Sequence, residues 1–209
     1  MNVLENLKWR YATKKFDPSR KIEDHSLDVL KESIQLSVSS FGLQLYKVLF
    51  IKDKELREEL KKFSWQQNQI TDASYIVVFC NYIKKSEEHV DEFIALKSYT
   101  EQSSIEDLRG YGDFIKTKIK EKSIKEYQHW TALQTYLALS NLLYSCAELK
   151  IDACPMEGFI PEKYNDILKL SEQGLSASVI AAIGYRSDKD KTQYYSKTRK
   201  PIHKLFEEI

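Results

Sequence analysis

The stretch "SYIVVFCNYI", residues 74–83, is apolar at almost every position and rich in β-branched and aromatic side chains, with no alternation of polar and apolar. A strand with that pattern buries both of its faces, so the spacing predicts a strand in the middle of a sheet. "LYKVLFIK", 45–52, predicts a second strand, and the Asp53 after it is placed to cap a short charged helix, "KELREELKKF", with Leu56 and Leu60 turned inward. In "SLDVLKESIQLS", 26–37, Leu27, Leu30 and Ile34 recur at helical spacing behind a good cap residue, Ser26, which predicts an amphipathic helix. "HWTALQTYLALSNLLYSCAELK", 129–150, is apolar almost all round, has helix length and contains no Gly or Pro, and therefore predicts a long helix buried in the core. Two late strands follow, "IDACPM" at 151–156 and "SASVIAAIGY" at 176–185.

Strands and helices alternate through much of the chain, the pattern of a mixed α/β sheet covered on both faces. Residues 87–125 are different. They are highly charged, with Phe93, Leu96, Tyr99, Leu108 and Phe114 at loosely helical intervals, which predicts peripheral helices with solvated faces. No repeat or low-complexity tract divides the chain, and the six glycines and four prolines are scattered, so residues 1–209 are expected to form one domain with 87–125 as its helical excursion. The closing "KTRKPIHKLFEEI" carries Ile202, Leu205 and Phe206 with no neighbour left in sequence, and a tail of that kind is expected to dock on another subunit.

Charge narrows the choice of partner. Lys plus Arg number 32 against 31 Asp plus Glu, so bulk electrostatics do not recruit duplex nucleic acid or an anionic membrane, and any basic chemistry is local. Cys80, Cys146 and Cys154 lie far apart in apolar surroundings with no C-x-x-C, as expected of reduced core thiols. The first residues include Glu5 and Lys8 where a signal peptide would be apolar, and the most apolar stretch, 133–146, is too polar and too short to span a bilayer. The expectation is a soluble cytoplasmic protein.

Common catalytic signatures are missing: there is no G-x-G-x-x-G after a strand, no G-x-x-x-x-G-K-[ST], no G-x-S-x-G and no H-E-x-x-H, and the four histidines have no ligand spacing. Metal or triad chemistry is therefore not expected. What the chain offers instead is "RYATKKF" near its start, the hydroxyl-rich "SVSSFGLQLY" (37–46), the amide-rich "SWQQNQITDAS" (64–74), the "PMEGF" loop (155–159) and a second basic triplet, "SKTRKP" (196–201). Two basic clusters at opposite ends of a neutral chain match the needs of a phosphate-bearing ligand, whose oxygens an Arg fork and a Lys point charge can share.

In that order and spacing, "RYATKKFD", "SVSSFGLQ", "DASYIVVFC", "PMEGF" and "SKTRKP" resemble the FMN-dependent nitroreductases, in particular the oxygen-insensitive NAD(P)H nitroreductase and dihydropteridine reductase branch. The resemblance runs essentially end to end. It implies an α+β fold, a three-layer α/β/α arrangement around a central mixed, mainly antiparallel sheet. It also implies a homodimer with two FMN sites at the interface and the C-terminal tail exchanged across it. The cofactor set it implies is Arg10, Tyr11, Ala12, Lys14, Val38, Ser39, Ser40, Gln66, Gln69, Pro155, Glu157, Gly158, Lys197 and Arg199. Within that set Arg10, Lys197 and Arg199 would take the phosphate. Lys14 would lie by the pyrimidine edge, where a fixed cation favours the anionic reduced flavin. The backbone at Glu157 and Gly158 would approach flavin N5, Ser39 and Ser40 would come from the second subunit, and Gln66 and Gln69 would bond the polar edge of the ring. Phe41 and Trp65 fall where the family places residues over the open face of the flavin, and Phe114, in the least alignable region 100–125, is a candidate gate for the substrate.

Four departures from the family pattern stand out. Ala12 replaces a hydroxyl residue, Val38 a proline and Gly42 an asparagine, and Gln69 stands where enteric-type members have a lysine. The activity implied is ping-pong hydride transfer from NAD(P)H through FMN to nitroaromatics, quinones or similar electron-poor acceptors, with the flavin carrying the chemistry and no catalytic side chain. A reductase for a pterin or enal-like metabolite, a non-catalytic FMN-binding redox sensor, and a helical interaction module remain alternatives.

Overall fold

In the computed structural model, which describes residues 3–209, a short helix α1 (Val3–Trp9) is followed by an extended segment and then α2 (Asp24–Gln35). Helix α2 buries Leu27, Leu30 and Ile34 as their spacing requires, but it does not start at Ser26. Its N-cap position is Glu23, which makes no side-chain cap bond, and Asp24 in the first turn favours the earlier start by placing a negative charge at the positive end of the helix dipole. Strand β1 (Tyr46–Ile51) leads into α3 (Lys54–Lys61), where the Asp53 carboxylate accepts the Leu56 N–H at 2.7 Å.

The amide-rich stretch contains a four-residue helix, α4 (Gln69–Asp72), ahead of β2 (Tyr75–Tyr82). Next come α5 (Glu88–Glu101), α6 (Ile105–Lys120) and the 25-residue α7 (Ile124–Glu148). Helix α7 starts before residue 129 because Ser123 and Glu126 form a reciprocal capping box. The chain then runs through β3 (Asp152–Met156), α8 (Pro161–Ile167) and β4 (Leu175–Gly184).

The four strands lie in the order β1-β2-β4-β3 with every pairing antiparallel, and a parallel bridge between Ala12 and Ala153 adds the mixed component. Strand β2 is interior, as its unbroken apolar run predicts. Alternate residues divide the core. Ile76, Val78 and Cys80 face a layer containing Leu60, Ile70 and Tyr164 from α3, α4 and α8, while Tyr75, Val77 and Phe79 face Leu30 and Leu142 from α2 and α7. Three layers result. A smaller core of Leu43, Leu45, Val90, Ile94, Ile115 and Ile119 sits under α5 and α6.

Another expectation needs correction. Helix α7 is not buried all round: Leu133, Tyr136, Leu137 and Tyr144 are exposed on this chain, because the sheet covers only one side of the helix. Pro155, shared between the strand expected at 151–156 and the "PMEGF" loop, lies inside β3, and it is tolerated because β3 is an edge strand. The three cysteines are buried and free, and no helix among the described residues is long and apolar enough to cross a membrane. The tail residues Ile202, Leu205 and Phe206 are exposed, around a single 3-10 turn.

Candidate functional site

Beyond α1 the chain runs along edge strand β3. Ala12 bridges Ala153, the Thr13 N–H reaches the Ala153 carbonyl at 3.4 Å, and the Asp17 N–H reaches the Tyr185 carbonyl at 2.8 Å. This added strand-like segment carries Arg10 and Lys14 to the neighbourhood of Cys154. The Cys154 thiol is raised above its ordinary pKa by burial, offset in part by the Lys14 charge, a hydrogen bond with Gln69 and the Arg10 charge. Lys14, Gln69 and Arg10 thus converge on one point of β3, although the sequence separates Gln69 from the other two by more than fifty residues. Gln69 is itself buried.

The second basic cluster arrives at the same place. Lys197 donates to the Lys8 carbonyl, and the Arg10, Lys197 and Arg199 charges repel one another. Burial first, then Arg199, lowers the Arg10 pKa; burial first, then Arg10 and Arg199, lowers that of Lys197. The Arg10 Nε and Nη2 atoms are buried without a hydrogen-bond partner. Buried charge-bearing donors left unpaired are costly, and three cations brought together repel. Both penalties are relieved by an anion with several oxygens, and a phosphate fits this donor set.

Two buried carboxylates hold the segment in place, and neither was among the candidate residues. Asp190 Oδ2 accepts the Lys14 N–H at 2.8 Å, the Lys15 N–H at 3.2 Å and the Tyr11 hydroxyl at 3.0 Å, while its Oδ1 accepts the Thr192 N–H at 3.0 Å. Burial alone would raise this carboxyl, but the three backbone donors outweigh it and keep it below the usual carboxylate range. Asp152, at the start of β3, accepts the Arg186 N–H at 2.8 Å and the Arg186 Nε–H at 2.6 Å. The Arg186 guanidinium in turn lies 4.3 Å from the Trp9 ring centre and 4.7 Å from that of Tyr11. An acid in the otherwise apolar "IDACPM" was a readable signal, since a buried charge requires a cation. Asp190 had none, hidden in the charged run "SDKDK".

At the end of β3, Gly158 is buried and Trp65 covers it: a Cβ added there would come within 2.8 Å of the indole. Trp65 and Gln66 both adopt positive φ, 52° and 55°, and this tight turn projects the indole, which is 77% exposed. Gln67 Nε2 donates to the Gly158 carbonyl at 3.1 Å. Tyr136 of α7, another residue absent from the candidates, donates to Glu157 Oε1 at 2.7 Å beside an open cleft of about 440 Å³.

The remaining candidates form a separate group. Ser40 Oγ accepts the Trp130 Nε1–H at 3.0 Å, and Ser39 Oγ accepts the Gln44 N–H at 2.9 Å. The Phe41 ring meets Phe114 and Trp130 edge-on, with centroids 6.2 and 6.3 Å apart, at the wall of a cleft of about 660 Å³. Val38 is exposed next to them. Among the described residues, no hydrogen bond or ring contact joins this group to Arg10, Lys14 or Gly158 within one chain.

The model of the Nitroreductase family matches residues 7–185. A Staphylococcus haemolyticus protein named "Putative NAD(P)H nitroreductase" is 32% identical over 218 residues, covering 99% of this chain and 97% of its own. Among solved structures, a "putative NAD(P)H:FMN oxidoreductase" from Staphylococcus epidermidis superposes with a TM-score of 0.89 at 20% identity, covering 100% of this chain and 96% of its own. A "putative nitroreductase in complex with FMN" from Exiguobacterium sibiricum gives 0.85 at 16%, covering 100% and 98%.

Proposed function

Because the chain belongs to the nitroreductase family, we propose that it is an FMN-dependent NAD(P)H oxidoreductase whose phosphate site is the cluster of Arg10, Lys197 and Arg199. The observation that carries this reading is the half-buried Arg10 guanidinium, whose Nε and Nη2 are buried without a partner while Lys197 and Arg199 repel its charge. When bound, FMN supplies the redox chemistry, taking a hydride at N5 from NAD(P)H and passing reducing equivalents to an electron-poor acceptor such as a nitroaromatic or a quinone.

The chain's own residues bind and orient. Arg10, Lys197 and Arg199 fix the phosphate by charge-assisted hydrogen bonds. Lys14, which with Gln69 acts on Cys154, would set a positive charge at the pyrimidine edge, where it would favour the anionic form of the ring. Tyr11, Ala12 and Pro155 would contribute to holding FMN, the backbone at Glu157 and Gly158 would face N5, and Gln66 with Gln69 would hydrogen-bond the polar edge of the ring.

Ser39 and Ser40, with Val38, stand apart from this cradle on their own chain. Together with the exposed apolar flank of α7 at Leu133 and Leu137, that separation supports a homodimer in which each site takes them from the partner subunit. The exposed Ile202, Leu205 and Phe206 then embrace the partner. In the same reading residues 1–209 act as one FMN-binding unit, with α5 and α6 as a lid. Trp65 and the Phe41–Phe114 pair close on a planar acceptor.

Binding of nicotinamide and acceptor in turn over the same face gives ping-pong kinetics. Steady-state NADPH oxidation with varied nitrofurazone or menadione should give parallel double-reciprocal lines. Converging lines, or no turnover of either acceptor by FMN-loaded protein, would overturn the assignment.

A further inference from the structure

Three polar contacts of the segment from Arg10 to Lys15, those of Tyr11, Lys14 and Lys15, meet at one side chain. Asp190 is 1% exposed and takes four hydrogen bonds, from the N–H groups of Lys14, Lys15 and Thr192 and from the Tyr11 hydroxyl. Three of these bonds come from the segment that carries Arg10 and Lys14. The fourth comes from the chain leading into Lys197 and Arg199, a few residues further on. None of the ion pairs among the described residues involves the Asp190 carboxylate, whose charge is met by hydrogen-bond donors, the backbone N–H groups foremost.

We propose that Asp190 is the positioning residue of the flavin site. Resting on the function proposed above, it fixes the backbone at Lys14 so that the ammonium lies at the pyrimidine edge, and it ties the two halves of the phosphate cluster together. Its carboxylate geometry does this work, and its negative charge does not. A bare negative charge near the ring would disfavour the reduced, anionic flavin, whereas a correctly placed Lys14 favours it. The two roles therefore move the reduction potential in opposite directions.

That opposition gives the test. The FMN midpoint potential is measured in the holoprotein for wild type, Asp190→Asn, Asp190→Glu, Lys14→Met and the Asp190→Asn/Lys14→Met double variant. Positioning predicts that Asn, which removes the charge, and Glu, which keeps it at the wrong length, both lower the potential. It also predicts that Asp190→Asn adds nothing once Lys14 is Met. A rise with Asn and no change with Glu would make Asp190 a simple charge, and fully additive shifts would uncouple it from Lys14; either result overturns the proposal.

Amide hydrogen exchange in FMN-free protein keeps the question open to test if a variant loses the cofactor. Lys14 and Lys15 should exchange at least about tenfold faster in Asp190→Asn while the β2 amides are unchanged, since Asp190 uses both carboxylate oxygens as acceptors and an amide offers only one. Unchanged rates at Lys14 and Lys15 overturn the positioning role. Wild-type protein that takes up no FMN would instead overturn the assigned function, and the exchange result would still report on the Asp190 anchor.

Discussion

Tyr136, on the flank of α7 that faces away from the sheet, donates its hydroxyl to Glu157 Oε1 at 2.7 Å and so ties the longest helix to the loop after β3. Burial first, then this bond to Glu157, lifts the Tyr136 hydroxyl to about 12, and burial lifts Tyr127 and Tyr164 to about 12 as well. An unfolded tyrosine loses its proton near pH 10.

The sign of the pH effect follows. Between about pH 10 and 12 the unfolded chain has given up protons that the folded chain still holds, so the stability these tyrosines contribute is complete below about pH 10 and is lost as pH rises towards 12. Urea midpoints should fall between pH 9 and 11.5, and Tyr164→Phe should shrink that fall because Tyr164 is fully buried. Midpoints independent of pH would contradict the shifts. Tyr136→Phe should cost no more than about 1 kcal/mol, the value of one partly exposed hydrogen bond, yet slow NADPH-dependent flavin reduction several-fold by loosening the Glu157–Gly158 backbone.

Gly158→Ala should leave the fold standing and move Trp65. The new methyl would sit 2.8 Å from the indole, but the indole is 77% exposed and free to swing outward. Thermal melting should shift by only a few degrees while the indole emission and the KM for a planar acceptor change. A collapse of the fold with Trp65 in place would mean that the loop is far less yielding than its exposure implies.

Arg10→Ala and Lys14→Met should separate two functions. Removing Arg10 deletes charge-assisted bonds to the phosphate, each worth about 1.5–3 kcal/mol, so FMN should bind about 10- to 100-fold more weakly, with a reduced dependence on salt. Lys14→Met should leave FMN affinity within about threefold and slow hydride acceptance more than tenfold. Equilibrium fluorescence titration and anaerobic stopped-flow reduction read the two quantities independently, and two fully active flavoproteins would contradict both assignments.

Much of this was legible before any coordinates. The apolar run 74–83 was readable as an interior strand from its β-branched and aromatic residues, and Asp53 was recognisable as a cap from its place before "KELREEL". Other features depended on partners that sequence does not display. Helix α7 looked buried all round because periodicity reports how apolar a face is and says nothing of what covers it. Asp190 escaped because a buried carboxylate satisfied by backbone N–H groups needs no patterned partner. Gly158 was read as making room for a ligand, and its missing side chain makes room for Trp65 as well.

Gln69→Lys should raise the flavin potential, because a third cation then joins Lys14 and Arg10 beside Cys154. A unit charge about 4 Å away at an effective dielectric of about 20 is worth about 4 kcal/mol before desolvation reduces it. The same burial should make the FMN-free variant less stable than wild type, since position 69 is only 7% exposed. Potentiometric titration showing no rise, or a fall, would remove Gln69 from the pyrimidine edge.

The central claim is that the convergent cations of the two chain ends hold FMN for reduction by NAD(P)H. The visible spectrum of the purified, FMN-equilibrated and desalted protein tests it most directly. The account predicts a yellow protein with flavin absorbance near stoichiometric with chain, bleached on anaerobic addition of NADPH or NADH and restored by a quinone. A colourless protein that retains no FMN after equilibration, or a yellow one that neither nicotinamide bleaches, would contradict it.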